Sequence, residues 1–243
     1  MNRFVFIIPF RNVATFLPEC AFSLIMQSYK NWIAIFIDDC STDNSSDVIP
    51  KDDRITIIKN QTRVTALPNI HNGIMCGTLQ DEDIICILDG DDRLYDVNSL
   101  ESINQLYQSN DPLLTYGQYV TSYGYMGHCA PYTPESFLKL RTGGYWASHL
   151  RTFKFKLYKE MMSQDPDLNC YKNSSGEFYT TCYDIAIMTP LMEIAGFDRI
   201  AFNPKVVYVY RLHSQNDHVV AGNLQKLDEK EIFSKTPFIK KDF

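Results

Sequence analysis

The chain has 243 residues, 45% of them hydrophobic and 21% charged, with a net charge of −6 at pH 7. That length suits one sizeable core rather than two complete domains, the composition is that of an ordinary soluble globular protein, and the acidic balance argues against a nucleic-acid partner, which would need a broad basic face. No stretch approaches the roughly 18 apolar residues of a transmembrane segment, and seven cysteines without a CxxC pair point to reduced thiols and a cytoplasmic setting, so the Asn-x-Ser/Thr triplets at Asn44, Asn60 and Asn173 are incidental.

In chain order, Phe4 to Ile8 is a β-branched and aromatic run closed by Pro9, which cannot donate to a ladder. Leu17, Cys20, Ala21, Leu24 and Ile25 then recur at helical spacing, with Thr15 as N-cap and Pro18 in the first turn. Ile33 to Ile37 reads as a second strand that ends in Asp38, Asp39, Cys40, Ser41, Thr42 and Asp43. Ile55 to Ile58 is a short third strand and Ala66 to Thr78 a helix. Ile84 to Leu88 is an unbroken apolar fourth strand that stops at Asp89, Gly90, Asp91 and Asp92, and Ser99 to Gln108 is a helix with Ile103 and Leu106 inward.

Wholly apolar strands alternating with helices predict an α/β fold with a mostly parallel sheet. Ligands of such sheets bind at the carboxyl ends of the strands, where the acidic groups fall. Three carboxylates in four residues repel one another and suit a hard divalent cation; the plain alternative is an acidic turn. The loops carry neither GxGxxG nor GxxxxGK[ST]. A diphosphate bound here would have to be met by a metal or by cationic side chains.

From about Leu113 tyrosines, glycines and short polar loops take over, and Ser163 to Gly176 is expected to be a mobile loop. Thr180 to Ala195 returns to a helical pattern containing Pro190. Lys205 to Tyr210 reads as a strand, followed by Arg211, His213, Asn216, Asp217 and His218. The end of the chain is charged, partly helical, and closes on a basic-aromatic stretch suited to docking on a partner or an anionic surface.

Six segments in this order, IIPFRN, IDDCSTDNS, ALPNIHNGI, LDGDD, TCYDIAIM and YVYRLH, resemble a family 2 glycosyltransferase of the GT-A fold over roughly residues 3 to 218. The forms SHLRTFKFKLY and YDIAIMTPLMEIAG resemble a branch found in eukaryotic and large-virus sequences. The resemblance implies a Rossmann-like central sheet flanked by helices, with a smaller acceptor-side subregion in the second half. Residues 1–222 would be one catalytic domain (1–112 nucleotide-binding, 113–222 acceptor-binding) and 223–243 a C-terminal tail.

The implied activity is metal-dependent, inverting transfer from a nucleotide-sugar, most simply a UDP-sugar, to a hydroxyl of a glycan, protein or lipid-linked acceptor. Pro9, Phe10 and Arg11 would line the nucleotide pocket, and Asp39 would accept a hydrogen bond from the imide N–H of the base. Asp89 and Gly90 would bind the nucleotide, Asp89 at ribose or metal-bound water, while Asp91, with Asp89 and His213, would hold Mn²⁺ or Mg²⁺. Asp184 would be the general base, and Arg211 would counter phosphate charge. Trp146, His149 and Arg151 would meet the acceptor.

Two departures stand out. Pro68 precedes Asn69 where the family commonly has Arg, leaving Arg63 to supply that charge, and Tyr183 precedes Asp184 where an acidic pair is more usual. An aspartyl phosphohydrolase would want its acidic pair after the first strand, where Pro9, Phe10 and Arg11 stand instead. The non-enzymatic alternative is a GT-A-like module that binds nucleotide-sugar or glycan without turnover.

Overall fold

A computed structural model describes residues 1–214, 216 and 221–243; Asp217 and His218 lie outside the described residues. The elements in order are β1 (Phe4–Phe10), α1 (Leu17–Ile25), β2 (Trp32–Asp38), β3 (Ile55–Lys59), α2 (Ala66–Met75), β4 (Ile84–Ile87), β5 (Arg93–Leu94) and α3 (Ser99–Asn110). There follow β6 (Leu114–Thr121), α4 (Pro134–Phe137), β7 (Arg151–Lys154), α5 (Phe155–Gln164), α6 (Tyr183–Ala195), β8 (Ile200–Tyr210) and α7 (Gly222–Ser234).

One eight-stranded sheet runs β3-β2-β1-β4-β7-β6-β8-β5. Its first four strands are parallel, β7 is antiparallel to β4 and β6, and β8 runs parallel to β6. The second half of the chain thus extends the same sheet, giving the mixed α/β architecture that the apolar runs predict.

The sheet is covered on both faces, which is why β1 and β4 show no polar alternation. Val5, Ile7, Ile85 and Ile87 share one core with Leu67, Ile70 and Ile74 of α2 and the apolar side of α6. Phe4, Phe6, Ile8 and Cys86 share the other with Leu17 and Leu24 of α1 and Leu100 and Ile103 of α3. Truncating a fully buried β1 side chain such as Ile7 to alanine is worth about 2–5 kcal/mol. At Gly73 a Cβ would fall 2.5 Å from Ile37 Cδ1 and 2.9 Å from Ile7 Cγ2, so α2 lies close on the sheet because that position has no side chain.

Several expectations change. Thr15 does not cap α1: Phe16 holds the N-cap position without a side-chain bond, and the Val13 carbonyl takes the Phe16 and Leu17 amides instead. In α3 the inward stripe is Leu100, Ile103 and Tyr107, while Leu106 is half-buried. β8 starts at Ile200, because Asn203 and Pro204 hide a strand that continues through them.

The segment 163–176 is packed rather than loose. Leu168, Cys170 and Tyr171 are buried, the Tyr171 hydroxyl donates to Met161 Sδ at 3.3 Å, and Asp165 accepts the Cys170 amide at 2.7 Å. The basic C-terminal stretch lies back on its own chain: the Phe238 amide donates to Glu193 and the Lys241 amide to the Ile194 carbonyl. Glu193 also receives a two-point hydrogen bond from Arg141, which in turn donates to the Ile232 carbonyl of α7. All seven cysteines are free.

Candidate active site

The carboxyl ends of β1, β2 and β4, the ends of β6 and β8, and the start of α6 surround a cleft of about 900 Å³. Every site residue expected from sequence lines it except Arg211 and Trp146, whose ring stacks on Tyr132 at 5.0 Å. Among its walls are non-glycine residues with left-handed backbone, Asn12 (φ 53°), Thr65 (φ 74°) and Cys182 (φ 52°). Such strain collects where the surrounding structure must hold a group in one geometry.

At the end of β2 the two adjacent carboxylates do different work. Asp38 is buried and consumed locally, accepting the Ser41 amide at 2.7 Å and the Ser46 hydroxyl. Asp39 reaches the cleft, with Oδ1 accepting the Val64 amide at 2.8 Å and Asn60 Nδ2 at 3.3 Å. Its Oδ2 accepts the Thr65 amide at 3.0 Å and lies 3.9 Å from Arg63 Nε. Burial alone would raise its pKa, but the donors around it, the Val64 amide and the Asn69 side chain foremost, hold it below the usual carboxylate value. Those donors take up most of the roughly four lone-pair directions that its two oxygens offer.

At the end of β4 the turn Asp89–Asp92 presses against β1. A Cβ on Gly90 would sit 2.5 Å from Phe10 Cβ, so glycine is what lets the two strand ends meet. Asp92 is buried and tied to β8: the Tyr208 hydroxyl donates to Oδ2 at 2.7 Å and the Arg211 amide to Oδ1 at 2.6 Å. Burial, with the charges of Asp91 and Asp89 added, pushes its pKa well up. Burial also pushes Asp89 up to about 6, Arg151 opposing and Asp91 adding to the shift. Asp91 faces the cleft, and its Oδ2 meets His213 Nε2 at 2.7 Å. Arg211 donates through Nε to the Asp91 carbonyl at 2.8 Å and pairs with Glu19, which directs its charge away from the cleft centre.

Asp184 stands in the first turn of α6, partly exposed to the cleft, with Oδ2 3.2 Å from Arg151 Nη2. Arg151 is buried and shares that nitrogen with His149 Nε2 at 3.3 Å. His149 stacks on Tyr208 at 4.2 Å and on Tyr210 at 5.4 Å, and burial, then the Arg151 charge, hold it neutral. Arg151 thus contacts Asp184 directly, and His149 contacts Arg151. Tyr183, standing where an acid was expected, donates its hydroxyl to Asp89 Oδ1 at 2.5 Å. Burial, and next the neighbouring Asp89 charge, keep that phenol protonated, so it joins the α6 start to the β4 turn without adding charge.

These donors fit a divalent cation: crowded hard carboxylates, pKa values pushed upward, and one imidazole suit Mn²⁺ or Mg²⁺. Asp89, Asp92 and His149 bring one ligand atom each within 4.8 Å of one another. Asp92 and His149 are buried, whereas Asp91 and His213 are partly exposed on the cleft.

Sequence reasoning did not single out Tyr119, Thr121, His128, Thr180 or Gln225, which also line the cleft. They come from irregular stretches without a motif. Tyr208 and Tyr210 had a signal, the alternation in YVYRLH, since residues two apart on a strand share a face.

An open parallel sheet extended by antiparallel strands, with an acidic turn after its fourth strand, defines a GT-A type α/β fold. The model of the family described as Glycosyl transferase family 2 matches residues 5–166, and the chain belongs to that family. Glycosyltransferase GlyG of Streptococcus pneumoniae serotype 4 is 28% identical over 117 residues, covering 46% of this chain and 38% of its own length. Residues 1–349 of S. aureus TarS superpose with a TM-score of 0.67 at 16% identity, over 86% of this chain and 60% of that one. The same protein in complex with UDP-GlcNAc gives a TM-score of 0.65 at 15% identity, over 90% and 61%. A mannosyltransferase from Pyrobaculum calidifontis in complex with GDP-Man and Mn²⁺ gives 0.58 at 17% identity, over 90% and 59%. The chain thus spans less than two thirds of these relatives. Among the described residues no helix is long and apolar enough to cross a membrane.

Proposed function

We propose that the chain is a divalent-metal-dependent, inverting glycosyltransferase that moves a sugar from a nucleoside-diphosphate donor, a UDP-sugar, to an acceptor hydroxyl. The observation that carries this reading is a lone carboxylate at a helix start, Asp184, sharing one cleft with the acidic turn after β4. Family membership supports transfer chemistry, and complexes of structural relatives with UDP-GlcNAc and with GDP-Man and Mn²⁺ support the donor class and the cation.

In this reading Pro9 and Phe10 wall the nucleotide pocket, and Asp39, on the cleft, accepts the imide N–H of uracil. Arg11 and Arg63, both on the cleft, supply positive charge for the nucleotide. Asp91 and His213, with Asp89, would hold the cation, which when bound offsets the charge gathering on the departing diphosphate. Asp184 takes the proton of the acceptor hydroxyl as its oxygen bonds to the anomeric carbon from the face opposite the diphosphate. The bond from that carbon to the phosphate oxygen breaks, and the electron pair leaves with the nucleoside diphosphate. Arg151 holds the Asp184 carboxylate in place for this, and general-base help is worth about 10²–10⁴ in rate.

The test is a donor panel with Mn²⁺ or Mg²⁺, following nucleoside diphosphate release with and without acceptor. Donor-dependent release abolished by EDTA is the expected result. Tight donor binding without any turnover would favour the non-catalytic binding module, and no binding by any donor would overturn both.

A further inference from the structure

Beyond Asp184 the cleft is walled by Tyr119, Thr121, His128, Ser148, Thr180 and Gln225. No Asp, Glu, Lys or Arg stands among these six. Among the described residues of this half of the cleft, the full charges of Arg151 and Asp184 are paired with each other. This wall is rigid. The Tyr119 ring packs so closely on the chain that a Cβ at Gly127 would fall 2.4 Å from it, and its hydroxyl pairs with His128 Nδ1 at 3.1 Å.

At Thr121 the wall runs on into a pinned turn. The Gly124 amide donates to the Thr121 carbonyl at 2.9 Å, the Thr121 amide to the Tyr125 carbonyl at 2.8 Å, and the Ser122 amide to the Tyr210 carbonyl of β8 at 2.8 Å. Gly124 takes φ +87°, which the turn requires. The turn holds Tyr123 and Tyr125 in solvent, 72% and 71% exposed. The two large exposed rings thus stand two residues apart on a well-bonded turn that follows cleft-lining Thr121.

Sugar rings offer C–H faces that pack on aromatic faces, and hydroxyls that need neutral donors and acceptors. An anionic acceptor drawn into this half would need a counter-charge that the six residues do not supply. We infer that the acceptor is an uncharged oligosaccharide, lying over Tyr123 and Tyr125 and reaching Asp184 along the Tyr119, Thr121 and His128 wall. This rests on the transfer reading above and narrows it.

The test is an array of neutral and acidic (uronate, sialylated, phosphorylated) glycans of one to six units, probed with the protein and with a Tyr123→Ala, Tyr125→Ala double variant. Binding confined to uncharged glycans is expected, weakened about tenfold in the double variant for the longer chains and little for single sugars, with an unchanged thermal midpoint. Binding confined to acidic glycans, no binding, or indifference to the double variant overturns the inference. UDP titration run in parallel separates the two readings: if UDP binds and the array result is negative, the acceptor inference alone fails, and if UDP does not bind, the transfer reading fails and takes the inference with it.

Discussion

The wall of the cleft built from β1, β2 and β4 carries Arg11, Asp39, Arg63, Asp89, Asp91 and Asp92, whereas the wall built around β6 carries Tyr119, Thr121, His128 and Ser148. On the first wall, charges are crowded and several carboxylates are shifted: Asp39 downward by directed amides, Asp89 and Asp92 upward by burial. On the second, neutral groups are fixed by packing and hydrogen bonds to their own chain. The difference teaches that one side of the cleft is charged and the other neutral, a division on which the proposed donor and acceptor sides rest, with the Arg151–Asp184 pair at the seam.

That division can be broken at the seam first. Asp184→Asn should lower transfer by about 10²–10⁴-fold while leaving donor affinity near wild type; a donor Kd that worsens as much as kcat falls would move Asp184 onto the nucleotide wall. Next, Asp91→Ala should abolish the response to Mn²⁺ and cost about 100-fold or more in donor turnover, since Lewis-acid help is worth several kcal/mol. A Mn²⁺ titration unchanged in this variant would shift the cation to the Asp89, Asp92 and His149 cluster.

Asp39→Asn should weaken UDP binding about tenfold and cost about 1–3 kcal/mol of stability, because the new amide nitrogen cannot accept from Val64 or Thr65. Isothermal titration and urea unfolding would read the two effects separately. The smallest effect concerns pH. The folded state holds the Asp39 pKa below its unfolded value, so its contribution is full above about pH 4 and is lost as pH falls through the folded value. The stability gap between wild type and Asp39→Asn should therefore narrow on acidification below about pH 4; a gap constant to pH 2 would contradict the shift.

The parallel half of the sheet was readable because β1, β2 and β4 are continuous apolar runs that stop at polar turns. β7 was not, since RTFK contains two cations that only tertiary structure makes tolerable: Arg151 by Asp184, and Lys154 by Glu82 and Asp111. β6 was hidden for a related reason, its tyrosines, Gly117 and threonines reading as loop until β8 pairs with it. In the site, carboxylates at strand ends announced themselves by spacing. The neutral wall could not, because Thr, Ser and Gln become a surface only when separate loops bring them together. Trp146 was drawn into the expected site by its region of the chain and its aromatic ring, and its packing on Tyr132 explains why it is elsewhere.

The backbone at Thr65, φ 74° and ψ 177°, lies in a region that side chains other than glycine enter at a cost of about 1–3 kcal/mol. Its amide is one of those that fix Asp39. A directed-evolution campaign scored on melting temperature alone would be drawn to glycine at this position, and would be rewarding a looser grip on the residue assigned to the base. On the proposed role of Asp39, heat tolerance and donor selectivity are opposed at one peptide unit, and a library built to raise the first should keep position 65 fixed.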